Sequence, residues 1–279
     1  MTRKTIRPWL AARGLSVLLA LHVASAAAGL AQRHQYRFGV LPLQSPTMLA
    51  RMFLPLADAL EKSLHRTVQF VTAPSFSSFM RRVQRREYNI IYLNPLLYTR
   101  ARRFGYRVIV KVAGEPFTGI LVVRDSSTIR RLDPATFPRG MRIGFPDPNA
   151  YAATVMTRQY MRSLGIPVRD FKVRYFGSQD SALMAVYYGL VDMAGSWYPS
   201  LRSMPKSVQL DLRVVAQTPP QPQMPIAVRS DMPARDVRKI TLLLTGLTHS
   251  RSGHAVLRHL GFSQGFVAAS NREYDEVKR

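Results

Sequence analysis

The chain has 279 residues, 47% of them apolar, enough to bury a sizeable core as one large domain or two small ones, so a disordered class is excluded. It contains no cysteine, which rules out disulfides, thiol catalysis, thiolate metal sites and a lipid-modified cysteine anchor together. The net charge of +24 favours anionic partners, although most of the basic residues are arginines scattered along the chain, a pattern that coding bias also produces.

Arg3, Lys4, Arg7 and Arg13 precede the apolar run Leu15 to Leu21 and the small-residue stretch Ala24 to Ala31. Residues 1–31 are therefore expected to be a signal peptide, cleaved after Ala26 or Ala31, with an apolar part too short to span a bilayer. Tyr36 to Leu43 then reads as a buried strand, and Ser45-Pro46 puts an N-cap and an N1 proline at the head of a helix over Thr47 to Leu64. Leu49, Met52, Phe53, Leu56, Ala57 and Leu60 share one face of that helix. A strand at Val68 to Ala73 follows, then a basic helix around Phe79 to Arg86 and a strand Asn89 to Leu93 ending in Asn94-Pro95. A helix Leu96 to Phe104 and a strand Arg107 to Ala113 complete a β-α-β-α-β-α-β order, which predicts a parallel α/β sheet.

Gly114 to Gly119 breaks this rhythm, and Ile120 to Val123 resumes it as a strand. After a turn-rich element at Leu132 to Pro138, Arg142 to Gly165 reads as strand, Asp147-Pro148 turn and helix, with Asn149 as N-cap and Gly165 as the stop. Phe171 to Phe176 is a further strand before a helix Ser181 to Tyr188, and Val191 to Gly195 leads into Ser196-Trp197-Tyr198. Arg213 to Gln217 is a strand, the proline-rich Thr218 to Pro225 a stiff extended crossing, and Ile226 to Arg229 a returning strand. Helices at Ala234 to Leu247 and Gly253 to Leu260 precede a polar tail.

These elements predict two α/β lobes joined by two crossings, with 32–119 and 215–279 in one lobe and 120–214 in the other. In such lobes ligands sit beyond the carboxyl ends of the strands, where helix starts offer unpaired N–H groups and partial positive charge. Four strand ends are candidates: Gln44, Ser45 and Thr47; Tyr92, Leu93 and Asn94; Asp147, Asn149, Ala150, Tyr151 and Ala152; and Gln179, Asp180 and Ser181. Trp197 joins them as an aromatic at a strand end. Each has a competing structural duty: core packing for Tyr92 and Trp197, turn formation for Asp147 before proline, helix capping for Asp180 and Ser181.

At these loops the sequence resembles the periplasmic binding proteins of phosphate, phosphite and phosphonate ABC transporters. The resemblance is carried by FGVLPLQSP at Phe38 to Pro46, NIIYLNPLLY at Asn89 to Tyr98, FPDPN at Phe145 to Asn149 and GSQDSALMAVYYGLVDMAG at Gly177 to Gly195. MPIAVR at Met224 to Arg229 and the closing Gly265 to Val277 add to it. It implies a two-lobed fold of the second periplasmic-binding class that closes around a small oxyanion and delivers it to a permease. Against the family pattern, Ala150, Tyr151 and Ala152 stand where Ser-Thr-Ser usually holds the oxyanion. Gln179 stands for a frequent His, and Pro199 and Met224 for carboxylates that bind a ligand's amino group. An aminophosphonate is therefore not the expected ligand.

No Ser elbow, His-Asp pairing or phosphate-cradling glycine loop is present, so no enzyme activity and no cofactor are expected. His249, His254 and His259 are spaced by five and do not stack on one helical face, so no metal site is expected. The basic run Arg81-Arg82-Val83-Gln84-Arg85-Arg86 reads as a solvated face or a docking surface for a membrane partner; nucleic-acid binding is not expected. The expected protein is a monomeric, exported solute-binding component whose partners are a small anionic or polar solute and an ABC permease. The alternative is a sensory or partner-binding module, engaging a membrane sensor, that kept the fold with a changed ligand.

Overall fold

The computed structural model describes residues 35–277 apart from 136, 138 and 139; the expected leader and Pro138 of the turn-rich element lie outside the described residues. The first sheet has the order β11-β4-β10-β3-β1-β2, built from β1 (Tyr36–Val40), β2 (Val68–Val71), β3 (Ile90–Tyr92), β4 (Tyr106–Val112), β10 (Pro225–Arg229) and β11 (Phe266–Ala268). β1 lies parallel between β2 and β3, with Phe38 opposite Phe70 on one side and Ile90 on the other. Helix α1 (Pro46–Leu64) covers this sheet with Leu49, Phe53, Leu56, Ala57 and Leu60 buried, while Met52 is only partly buried.

β1, β2, β3 and β4, the strands of the expected parallel sheet, run in one direction, but two later strands make the sheet mixed. β10 runs antiparallel to both β3 and β4, and β11 antiparallel to β4. The chain returns from the second lobe through the proline-rich crossing and enters the sheet from the opposite end, so it wedges between β3 and β4 instead of extending the edge. Helices α2 (Phe76–Gln84) and α3 (Pro95–Ala101) start earlier than or close to the expected positions. Ser75 and Asn94 cap them, accepting from Ser78 N at 3.1 Å and Leu97 N at 2.8 Å.

The second sheet has the order β7-β6-β8-β5-β9, from β5 (Ile120–Arg124), β6 (Arg142–Phe145), β7 (Lys172–Tyr175), β8 (Met193–Ser196) and β9 (Leu212–Gln217). β6 is parallel to β7 and β8, and β5 antiparallel to β8 and β9. After β6 a π-helical turn, Tyr151–Met156, runs into α4 (Thr157–Ser163). The expected N-cap, Asn149, is displaced: Ala150 takes that position, and its carbonyl accepts from both Thr154 N at 2.8 Å and Val155 N at 3.2 Å, which widens the turn. Asn149 is held back because its N–H donates to Asp147 Oδ1 at 2.7 Å. α5 (Gln179–Tyr187) is capped by Ser178 and not by the expected Asp180 or Ser181. α6 (Tyr198–Ser203), α7 (Lys206–Leu210), α8 (Ala234–Gly246) and α9 (Arg251–Leu260) complete the described helices.

The two crossings, 113–119 and 218–224, lie side by side. Phe117 and Gln221 form an antiparallel bridge; Gly119 N donates to Thr218 Oγ1 and Thr218 N to Gly119 O, each at 2.9 Å. Gly119 and Gly195 are required for close approach: a Cβ on the first would lie 2.2 Å from Ala152 O, and on the second 1.9 Å from Ala153 O. The π-helical turn is thereby seated directly on β5 and β8. It also joins the core of the first lobe, since Tyr151, Ala152, Ala153 and Met156 pack in one apolar cluster with the first sheet.

Candidate functional site

The strand ends of the two lobes face each other across one seam. From the first lobe, Gln44 is buried and its Nε2 donates to Ser203 Oγ at 2.9 Å, while Ser45 N donates to Asp180 Oδ2 at 3.3 Å. Asn94, the cap of α3, sends its Nδ2 across to Asn149 O at 3.0 Å. From the second lobe, Gln179 N donates to Leu43 O at 2.9 Å, and Gln179 Oε1 accepts from Ser196 Oγ at 3.2 Å. Arg100 NH1 donates to Asn149 Oδ1 at 3.1 Å. The donors that the sequence offers to an anion are thus bound in this closed geometry to carbonyl, carboxylate and hydroxyl oxygens of the opposite lobe.

The other candidate positions separate by burial. Ala150, Tyr151 and Ala152 are buried at the start of the π-helical turn, whose first N–H groups have no intrahelical acceptor. Asp147 is a turn former, accepting from Asn149 N. Leu93 is buried in the sheet and offers no polar side chain. Thr47 and Ser181 are exposed, and Ser181 N is bound to the Ser178 hydroxyl at 3.3 Å.

Beside the seam lies an aromatic cluster. Tyr151 stacks on Phe117 at 6.0 Å between ring centroids and donates its hydroxyl to Gln221 Oε1 at 3.0 Å, tying the second lobe to the crossing. Trp197 meets Phe117 edge-on at 5.7 Å and donates Nε1 to Ser200 Oγ at 2.6 Å. Tyr92 contacts Phe53 at 5.0 Å and Phe262 at 6.0 Å. Burial pushes the Tyr151 phenol up to about 12 and the Tyr92 phenol higher still, so both stay neutral donors at ordinary pH. Residues not anticipated from the sequence, Phe117, Gln221 and Phe262, come from the crossings and from the end of α9. The glycine-bracketed break at 114–119 was the visible signal for Phe117 and the proline-rich stretch at Thr218 to Pro225 that for Gln221, while Phe262 had none.

Among the described residues no group of three or more His, Asp or Glu is placed to hold a metal ion. The basic run over the end of α2 is partly consumed within the fold: Arg82, on the helix, donates to Thr72 O at 3.1 Å, and Arg86, just past it, pairs with Asp231 at 2.9 Å.

Two mixed α/β sheets on paired crossings, with an amide- and aromatic-lined seam between them, define a two-lobed binding protein of the second periplasmic class. The family model for the periplasmic substrate-binding protein of phosphonate ABC transporters matches residues 38–274, and the chain belongs to that family. The phosphonates-binding periplasmic protein of Escherichia coli K12 is 23% identical over 259 residues, covering 89% of this chain and 76% of that protein. Among solved structures, a binding protein component of an ABC phosphonate transporter from Pseudomonas aeruginosa superposes with a TM-score of 0.79 at 17% identity, covering 86% of this chain and 83% of that one. PhnD1 from Prochlorococcus marinus, solved with methylphosphonate, gives 0.79 at 15% identity, covering 88% of this chain and 96% of that one.

Proposed function

We propose that the interlobe seam captures a small anionic or polar solute, of the phosphonate, phosphite or phosphate kind, in the periplasm and presents it to an ABC permease. The observation that carries this is the convergence of Gln44, Ser45, Asn94, Asn149, Tyr151 and Gln179 from both lobes onto one seam. In this reading residues 32–119 and 215–279 form one lobe and 120–214 the other, with the Phe117–Gln221 ribbon as the hinge. Residues 1–31 direct export and are removed, and with no cysteine in the chain no lipid is attached. The protein acts as a monomer, as a binding component and not as an enzyme.

A thermal-shift screen against phosphate, phosphite, methylphosphonate, sulfate and organic acids tests the proposal. A solute present at 100 times its dissociation constant stabilises the folded state by about 2.7 kcal/mol and raises the melting temperature. No shift with any of them transfers the weight to a sensory or partner-binding role, which the saturation of the seam donors by protein oxygens favours.

A further inference from the structure

Next to the seam, a cavity of 260 Å³ opens between α1 and Trp197 to Ser203 of the second lobe, with the Arg258 to Phe262 turn as its third side. On the same measure a single water needs about 10–15 Å³, so the space suits a ring-bearing molecule better than an isolated oxyanion. Its walls are apolar and aromatic, chiefly Met48, Met52, Phe53, Tyr92, Trp197 and Phe262.

Besides Tyr92, Arg202 and Arg258, the polar residues lining this cavity are Gln44, Ser203 and His259, and Gln44 Nε2 is already bound to Ser203 Oγ. Tyr92 is 1% exposed and brings to the wall a phenol that burial keeps protonated, a neutral donor. Arg202 and Arg258 line the mouth, and no carboxylate lines this cavity. Arg202 is held from outside by Glu115 at 2.9 Å, and Arg258 is exposed in the last turn of α9, where the helix dipole favours a cation. At the seam, by contrast, a bare oxyanion has to displace the Asp180 carboxylate from Ser45 N, the Asn149 carbonyl from Asn94 Nδ2 and the Leu43 carbonyl from Gln179 N.

We infer that the ligand is an aryl oxyanion, with its ring between Tyr92, Trp197 and Phe262 and its charged group turned toward Arg202 and Arg258. This rests on the solute-binding reading above and narrows its ligand. Alkyl phosphonates share the anionic head and lack the ring, so the apolar cavity discriminates between the two classes.

The sequence has two tryptophans, Trp9 in the leader and Trp197 in the cavity wall, so the exported protein reports on this site through Trp197 alone. Fluorescence and calorimetric titrations would compare phenylphosphonate, methylphosphonate and benzyl alcohol. Phenylphosphonate should change the Trp197 emission and bind at least about tenfold more tightly than methylphosphonate, the gain from burying a ring. Arg258→Glu and Tyr92→Phe should each weaken phenylphosphonate severalfold without lowering the melting temperature of the free protein. Methylphosphonate binding as tightly as phenylphosphonate, benzyl alcohol matching it, or indifference of phenylphosphonate to both substitutions would overturn the inference while leaving solute binding in place. Absence of binding by every anion in the screen and in this series would overturn both.

Discussion

Gly195→Ala tests how the fold holds the seam together. The added methyl would sit 1.9 Å from Ala153 O and 2.7 Å from the Phe145 ring, closer than non-bonded carbons come to either. Phe145 is fully buried and cannot swing away, so the π-helical turn has to lift from β8. That movement disturbs the Thr157 Oγ1 to Ala153 O bond of 2.5 Å and displaces Tyr151 and Asn149 at the seam. Overpacking of a closed core costs about 1–3 kcal/mol, and a backbone oxygen as the obstacle puts this case near 3. At roughly 2–4 °C per kcal/mol for a chain of this size, the melting temperature should fall by about 6–12 °C. Urea denaturation should show a lower midpoint with an unchanged slope. Gly246→Ala is the control: no heavy atom lies within 4 Å, φ is −89°, and about 0.4–1 kcal/mol of stabilisation is expected. If Gly195→Ala melts together with the unsubstituted protein, the close seating of the turn on β8 is wrong.

Thr218→Val leaves the buried Gly119 N–H without its acceptor and should cost about 1–3 kcal/mol in urea denaturation; an unchanged midpoint would mean that the crossing relaxes around the loss. Asp192 accepts from Arg142 Nε at 3.2 Å and from its backbone N–H at 2.9 Å, and the side-chain bond to the guanidinium holds its carboxyl below the ordinary range. A depressed carboxyl contributes stability above its unfolded pKa, and that contribution is lost as pH falls through the folded value. Asp192→Asn should therefore be less stable at neutral pH and converge with the unsubstituted protein in acid, as melting curves from pH 7 to below about 4 would show. Parallel pH profiles would refute the linkage.

Much of the architecture was legible because the chain punctuates it with Pro, Asn and Ser. Asn94-Pro95 marked the start of α3, and Ser45-Pro46 marked that of α1, where the Ser45 side chain itself makes no capping bond. The direction of β10 was not legible: Ile226 to Val228 reads as a buried strand either way, and only the path of the return crossing reverses it. Nor was the widened turn after Ala150, since Asn149 carries every local sign of a cap and loses the position to its own bond with Asp147. At the candidate site the seam residues were visible as strand ends. Phe262 and Arg258 were not, because they reach the cavity from the end of a helix distant in sequence and the turn after it, where periodicity speaks only of packing.

Hydrogen exchange of the exported protein, with and without a saturating phosphonate identified by the screen, addresses the central claim most directly. Binding between the lobes should slow exchange together at 43–49, 150–157 and 178–184, and at the paired crossings, because each segment contributes to the closed seam. Calorimetric binding with protection confined to one lobe, or with none in these segments, would contradict it.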